Sequence, residues 1–133
     1  MIRIRHSLKP FEELELEGSN SELSELRAAI HRFCKSGEPA MALPADSDFD
    51  PSPYPHGLAS LRLQKTTEPI LICVTGAALS VSGKPELLRL FADNLPYDAQ
   101  HTSSIPYHVH FDRAGREDMV SEASLGIGLG LKK

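Results

Sequence analysis

Twice in this chain a strand-like alternation gives way to a helical period through a short polar turn, and that repeated switch constrains the fold more than any other feature. In "EELELEGSNSELSELRAAIHRFCKSG", Leu14 and Leu16 alternate with Glu13, Glu15 and Glu17. Leu23, Leu26, Ile30 and Phe33 then recur at helical spacing. Ser19 with Glu22 three residues later spells a capping box, each side chain covering a backbone N–H at the helix start. Gly37 suits the left-handed position beyond Lys35. In "ALSVSGKPELLRLFADNLP", Leu79 and Val81 alternate with Ser80 and Ser82, and Gly83 turns the chain. Pro85 opens a helix carrying Leu87, Leu90 and Phe91, and Pro96 ends it.

Two further period-two segments follow each helix, "LASLRLQKT" and "PILICVTG" after the first, "IPYHVHFDR" and "ASLGIGLGLK" after the second. This order predicts a single α+β domain built on a duplicated β-α-β-β unit, with copies over residues 11–76 and 77–132. One helix per copy can cover only one side. The sheet is therefore expected to be mostly antiparallel, of six to seven strands, with two helices on one face and the other face wet. "MIRIRHS" supplies the seventh strand, at an edge or in a hairpin with the strand after it. The alternation sends Leu14, Leu16, Leu61, Leu63, Leu79, Val81, Tyr107, Val109, Phe111, Leu125, Ile127 and Leu129 inward. Glu15, Arg62, Ser80, Ser82, His108, His110 and Asp112 point outward, and "ILICV", apolar on both sides, is expected at the sheet centre.

A chain of 133 residues can bury about two thirds of the surface its unfolded form exposes, so no covalent staple is needed. Cys34 and Cys73 sit in apolar patterns with neither disulfide-framework nor metal-knuckle spacing, which suits a reducing cytoplasm. No apolar run is long enough to span a bilayer, and none follows the first basic residues as a secretion signal would. A soluble cytoplasmic protein with no membrane partner is expected. The net charge of -4 argues against a broad nucleic-acid footprint. Its source is local. Between Ser36 and Leu61 stand Glu38, Asp46, Asp48 and Asp50 with no Lys or Arg. Residues 38–57, "EPAMALPADSDFDPSPYPHG", hold five prolines and no period, and read as a mobile acidic loop.

"YHVHFDR" places His108, His110 and Asp112 on one side of a strand. Successive outward stems stand about 7 Å apart, close enough for two imidazoles to share a zinc ion. A third ligand would have to come from His101, His56 or Cys73. The same alternation also describes an ordinary wet strand face. "DSDFD" fails as a calcium loop, since Pro51 falls where the turn glycine belongs and Gly57 where the bidentate Glu belongs. "GIGLG" has no helix start after it to seat a pyrophosphate. Gly126, Gly128 and Gly130 leave one sheet face bare, to be filled by large neighbours such as His108 or His110 or by a partner's backbone. No Ser or Cys sits in a nucleophile elbow, so no catalytic residue and no cofactor is assigned.

The segments "LELEGSNSELSELRAAI", "LSVSGKPELLRLFADNL", "YHVHFD" and "SEASLGIGLG" together resemble the immunity protein 32 family of bacterial polymorphic toxin systems. The resemblance runs from about Leu14 to Leu131 and skips the acidic loop. It implies an α+β protein encoded beside a toxin that it binds and neutralises, acting by binding rather than catalysis. A polar sheet face with an acidic loop suits a basic partner surface. The expected partner-binding residues are His108, His110, Asp112, Asp46, Asp48, Asp50 and Arg62, with the three loop aspartates imitating a phosphate backbone. The alternative is a small metal-binding protein or metal-dependent hydrolase using His108 and His110 with Asp112. Oligomeric state stays open.

Overall fold

The computed structural model describes residues 1–8, 12–52, 54, 56–96, 108–113 and 116–131, with only the backbone described at His108 and Val109. In chain order the elements are β1 (Arg3–Ser7), β2 (Glu13–Gly18), α1 (Asn20–Lys35), β3 (Ala40–Pro44), β4 (His56–Leu58), β5 (Ser60–Lys65), β6 (Leu71–Thr75), β7 (Ala78–Gly83), α2 (Pro85–Asp93), β8 (His108–Phe111) and β9 (Ile127–Leu131). The α+β class holds. The single sheet does not: the described strands form a five-stranded sheet, β4-β1-β2-β9-β8, and a four-stranded sheet, β3-β5-β7-β6.

Each sheet is mixed, with a parallel pair, β2 with β9 and β5 with β7, between antiparallel ones. Alternation along a strand decides which face is buried but not which strand lies alongside, so the partition could not follow from it. Read from the other side and with β4 set aside, the two sheets share one order. β6-β7-β5-β3 repeats β1-β2-β9-β8, antiparallel, parallel, antiparallel. Neither expected copy builds a sheet alone: β2 lies with β8 and β9 of the other half, and β7 with β5 and β6.

Local signals were followed closely. The Ser19 hydroxyl accepts the Glu22 N–H at 3.2 Å and the Glu22 carboxylate accepts the Ser19 N–H at 2.8 Å, closing the capping box. "MIRIRHS" takes the hairpin option, β1 pairing antiparallel with β2. Gly76 takes φ +61° at the first position of the two-residue β6–β7 turn, where glycine is favoured. Gly37 does not end α1 in a left-handed turn. Instead Ser36 turns extended and gives both its N–H and its hydroxyl to the Phe33 carbonyl, at 3.1 and 2.7 Å.

Two further expectations need correction. "ILICV" lies at an edge, not the centre, because residues 119–125 run along the outer side of β6 and cover it. The Ile70 N–H reaches the Met119 carbonyl and the Ser121 N–H the Ile70 carbonyl, both at 2.8 Å. The Ile72 N–H meets the Ser124 hydroxyl at 2.8 Å and the Leu125 N–H the Ile72 carbonyl at 2.9 Å. The stretch 38–57 is not one loop either: it contains β3 and runs into the first two residues of β4, strands whose brevity and neighbouring prolines hide them.

One core draws on both sheets and both helices, with Ile4, Leu16, Leu61, Val81 and Leu129 buried alongside Leu23, Ile30, Leu88 and Phe91. Phe91 of α2 meets Phe111 of β8 edge to face, ring centroids 5.4 Å apart. Asp93 ties α2 to α1, accepting from His31 Nε2 at 2.8 Å and pairing with Arg27 at 3.2 Å. The residues expected inward are buried where their side chains are described, except half-buried Leu125. Tyr107 and the side chain of Val109 lie outside the described residues. Neither described helix is long and apolar enough to cross a membrane.

Candidate functional site: the outer face of the five-stranded sheet

With Ile4 opposite Leu16 in the core, the pleat sends Arg3, Arg5, Glu13, Glu15 and Glu17 to the outer face of β1 and β2. Arg5 bridges two of these acids, at 2.9 Å from Glu17 and 3.4 Å from Glu15. Beside them β9 offers only glycine, Gly128 next to Glu15 and Gly130 next to Glu17. On its other side Gly128 faces His110 of β8. A Cβ at Gly128 would stand 3.9 Å from the His110 ring, so the imidazole leans over the bare strip. At Gly126 a Cβ would come within 2.9 Å of the Asp112 Cβ, so glycine is what lets Asp112 sit there.

The acidic segment lies against this same face. The Asp46 N–H reaches the Ile2 carbonyl at 2.8 Å, and its carboxylate accepts from Arg3 Nε at 3.3 Å. Phe49 then settles over the sheet, its ring centroid 5.3 Å from the Arg3 guanidinium carbon and 5.1 Å from that of Arg5. Gly57 of β4 makes room, since a Cβ there would stand 3.2 Å from the ring. Asp46 and Asp50 each accept a backbone N–H two residues on, that of Asp48 at 2.9 Å and of Ser52 at 3.0 Å. Those backbone bonds hold both carboxyls below the usual carboxylate range, with Arg3 adding to the effect on Asp46.

A groove of about 350 Å³ opens beside this cover. Glu12, Glu13, Glu15, Asp112, His110 and Tyr54 line it over Gly126 and Gly128. Burial pushes the Tyr54 hydroxyl above its ordinary value, and the Glu13 and Glu15 carboxylates push it further. The phenol is therefore a neutral donor beside two acids. Glu12 also accepts from the buried His6 at 2.9 Å, and His6 stands across from His56, ring centroids 6.2 Å apart.

The structure thus gathers His110, Asp112 and the loop aspartates on one face. His108, on the same strand as His110, pairs its backbone with Gly130 of β9, while its side chain lies outside the described residues. Arg62 is elsewhere: β5 belongs to the four-stranded sheet, where Arg62 stands between Ala42 and Ser80. Glu12, Glu13 and Tyr54 were missed as site residues. For Glu13 the acid row of "EELELE" was the available signal, because its alternation already turned Glu13, Glu15 and Glu17 to the wet face; Glu12 and Tyr54 carried no such signal. Among the described residues no three His, Cys, Asp or Glu side chains gather closely enough to hold a metal ion. Of the proposed third ligands, His56 faces His6 and Cys73 is on β6, while His101 lies outside the described residues.

Chemically, this concave acid-rich surface can accept a Lys or Arg side chain through charge-assisted hydrogen bonds, with Tyr54 and His110 as neighbouring polar groups. Searches against protein-family models, curated proteins and solved structures returned no match.

Proposed function

We propose that this chain is an immunity-type protein of the bacterial cytoplasm, which neutralises a cognate protein toxin by binding it with the outer face of its five-stranded sheet. The observation that carries the reading is the acid-lined groove: carboxylates on β2 and beyond β8 converge over a glycine floor beside an acidic segment pinned to the same face. A basic substrate cleft, such as that of a nuclease, would find complementary charge there, which speeds encounter and sets specificity. Asp48 and Asp50, exposed at the rim, are the residues best placed to imitate phosphates, whereas Asp46 is partly engaged by Arg3. Arg62 would belong to the footprint only if the partner also reached the four-stranded sheet.

The likeness of "LELEGSNSEL" to "LSVSGKPEL", together with the shared strand order of the two sheets, supports reading the chain as a duplicated unit whose halves are interlaced.

Co-expression with the product of the adjacent open reading frame tests the function. The toxic effect of that product on growth should be relieved, and the two proteins should co-purify in fixed stoichiometry. Charge reversal at Glu13, Glu15 and Asp112 should abolish both in a protein that still melts cooperatively. Undiminished toxicity with abundant folded protein, or rescue indifferent to those reversals, would sink the assignment to this face.

A further inference from the structure

Away from that face, the outer edge of β3 and the adjoining side of α1 are self-complementary, and we propose that they form the interface of a two-fold symmetric dimer. The bonds from the Ala45 N–H to the Ala59 carbonyl and from the Lys65 N–H to the Pro39 carbonyl, both 2.9 Å, fix the phase of the β3–β5 ladder. Bonded and non-bonded pairs alternate in an antiparallel ladder. Met41 and Leu43 therefore spend their backbone groups on β5, while the N–H and carbonyl of Ala40 and Ala42 and the carbonyl of Pro44 point away from the sheet. Among the described residues nothing pairs with that side. Pro44 sits where its missing N–H would have pointed outward. No charged side chain on the strand discourages a neighbour.

A groove of about 450 Å³ separates this edge from α1, with Leu26, Ala28, Ala29 and Leu43 in its lining. Glu25 and Arg32, which also line it, lie about one turn to either side of the alanines along the helix. Two other faces of α1 are committed: Leu23, Leu26, Ile30 and Phe33 to the core, Arg27 and His31 to Asp93 of α2. Glu25 and Arg32 have no partner among the described residues.

Charge complementarity selects a second copy as the occupant. A two-fold axis reverses α1, so Glu25 of each copy meets Arg32 of the other while the alanines allow the helices to approach. An axis through Ala42 pairs β3 with its own copy antiparallel. The Ala42 N–H then meets the other Ala42 carbonyl, and the Ala40 N–H the other Pro44 carbonyl, each bond made twice. Two four-stranded sheets join into one continuous sheet.

Sedimentation equilibrium of the whole chain, from micromolar to millimolar concentration, should show a monomer–dimer equilibrium. Glu25→Arg and Arg32→Glu should each weaken the dimer about tenfold, because a single swap sets like charges together twice across the axis. The double swap should return the constant to within about threefold of the parent. Ala42→Pro removes an outward N–H that the fold does not use, so its melting temperature should stay close to the parent's while dimerisation is lost. A chain that remains monomeric at millimolar concentration overturns the proposal. So does a dimer indifferent to Ala42→Pro, or one that the double swap fails to restore.

Discussion

The two sheets use the same strand order and the same kind of inward residue, yet their outer faces have little in common. On the five-stranded sheet an acid row, a glycine strip and an imidazole lie side by side, partly covered by a segment that Phe49 anchors between Arg3 and Arg5. On the four-stranded sheet Ala40, Ala42, Gln64, Ser80 and Ser82 surround Arg62 alone. Leu, Ile and Val are interchangeable enough to fill both interiors. Residues released from packing are therefore the ones free to differ, and they have made one face a charged concavity and left the other nearly neutral with a bare edge.

The largest test of this contrast removes what holds the charged face to the rest. Phe111→Ala empties the edge-to-face contact with Phe91 and should cost about 3–5 kcal/mol in urea unfolding. A loss below about 1 kcal/mol, typical of surface changes, would mean that β8 is held by other means. Next comes the cover. Phe49→Ala leaves Arg3 and Arg5 without their aromatic partner and should cost about 1 kcal/mol, while speeding proteolysis between Asp46 and Tyr54. Unaltered cleavage would show that Asp46 alone pins the segment.

The smallest effect is in the pH profile. Asp46 and Asp50 have lowered carboxyl pKa values in the fold, so their contribution is present above the unfolded carboxylate range and is lost as pH falls through it towards the folded values. Stability should decline from about pH 5 downward. In Asp46→Asn the decline should be shallower, by a small margin because the half-buried carboxylate and its Arg3 partner are still reached by solvent. Identical slopes would assign the acid sensitivity to other carboxylates.

How much of this was legible depended on distance along the chain. The capping box of Ser19 and Glu22, the Pro85 helix start and the inward Leu14 and Leu16 are set by residues within a few positions of one another, and sequence periodicity finds them. The partition into two sheets is set by Glu15 beside Gly128 and Ser60 beside Ala78, pairings that no local period encodes. "ILICV" looked central because a covered edge and a sheet interior demand the same apolar residues. The site was half legible: alternation turned His110, Asp112 and Glu15 outward, but Tyr54 and Phe49 reach the face through a segment whose course depends on Arg3, Arg5 and Gly57. Arg62 was outward as expected and on the wrong sheet, for the same reason that the sheets themselves were not separable.

The interlaced strands also set an order of assembly. The four-stranded sheet is complete within residues 40–83, whereas the five-stranded sheet needs 3–18, 56–58 and 108–131 together. During synthesis the first can close while β2 still waits, one side open, for β9. The acid groove takes its walls from β2 and from the residues around β8 and β9, so a nascent chain has no such groove until β9 is in place. The groove therefore exists only after nearly the whole described chain has been made, and the β6 edge that residues 119–125 cover stays open until the same point.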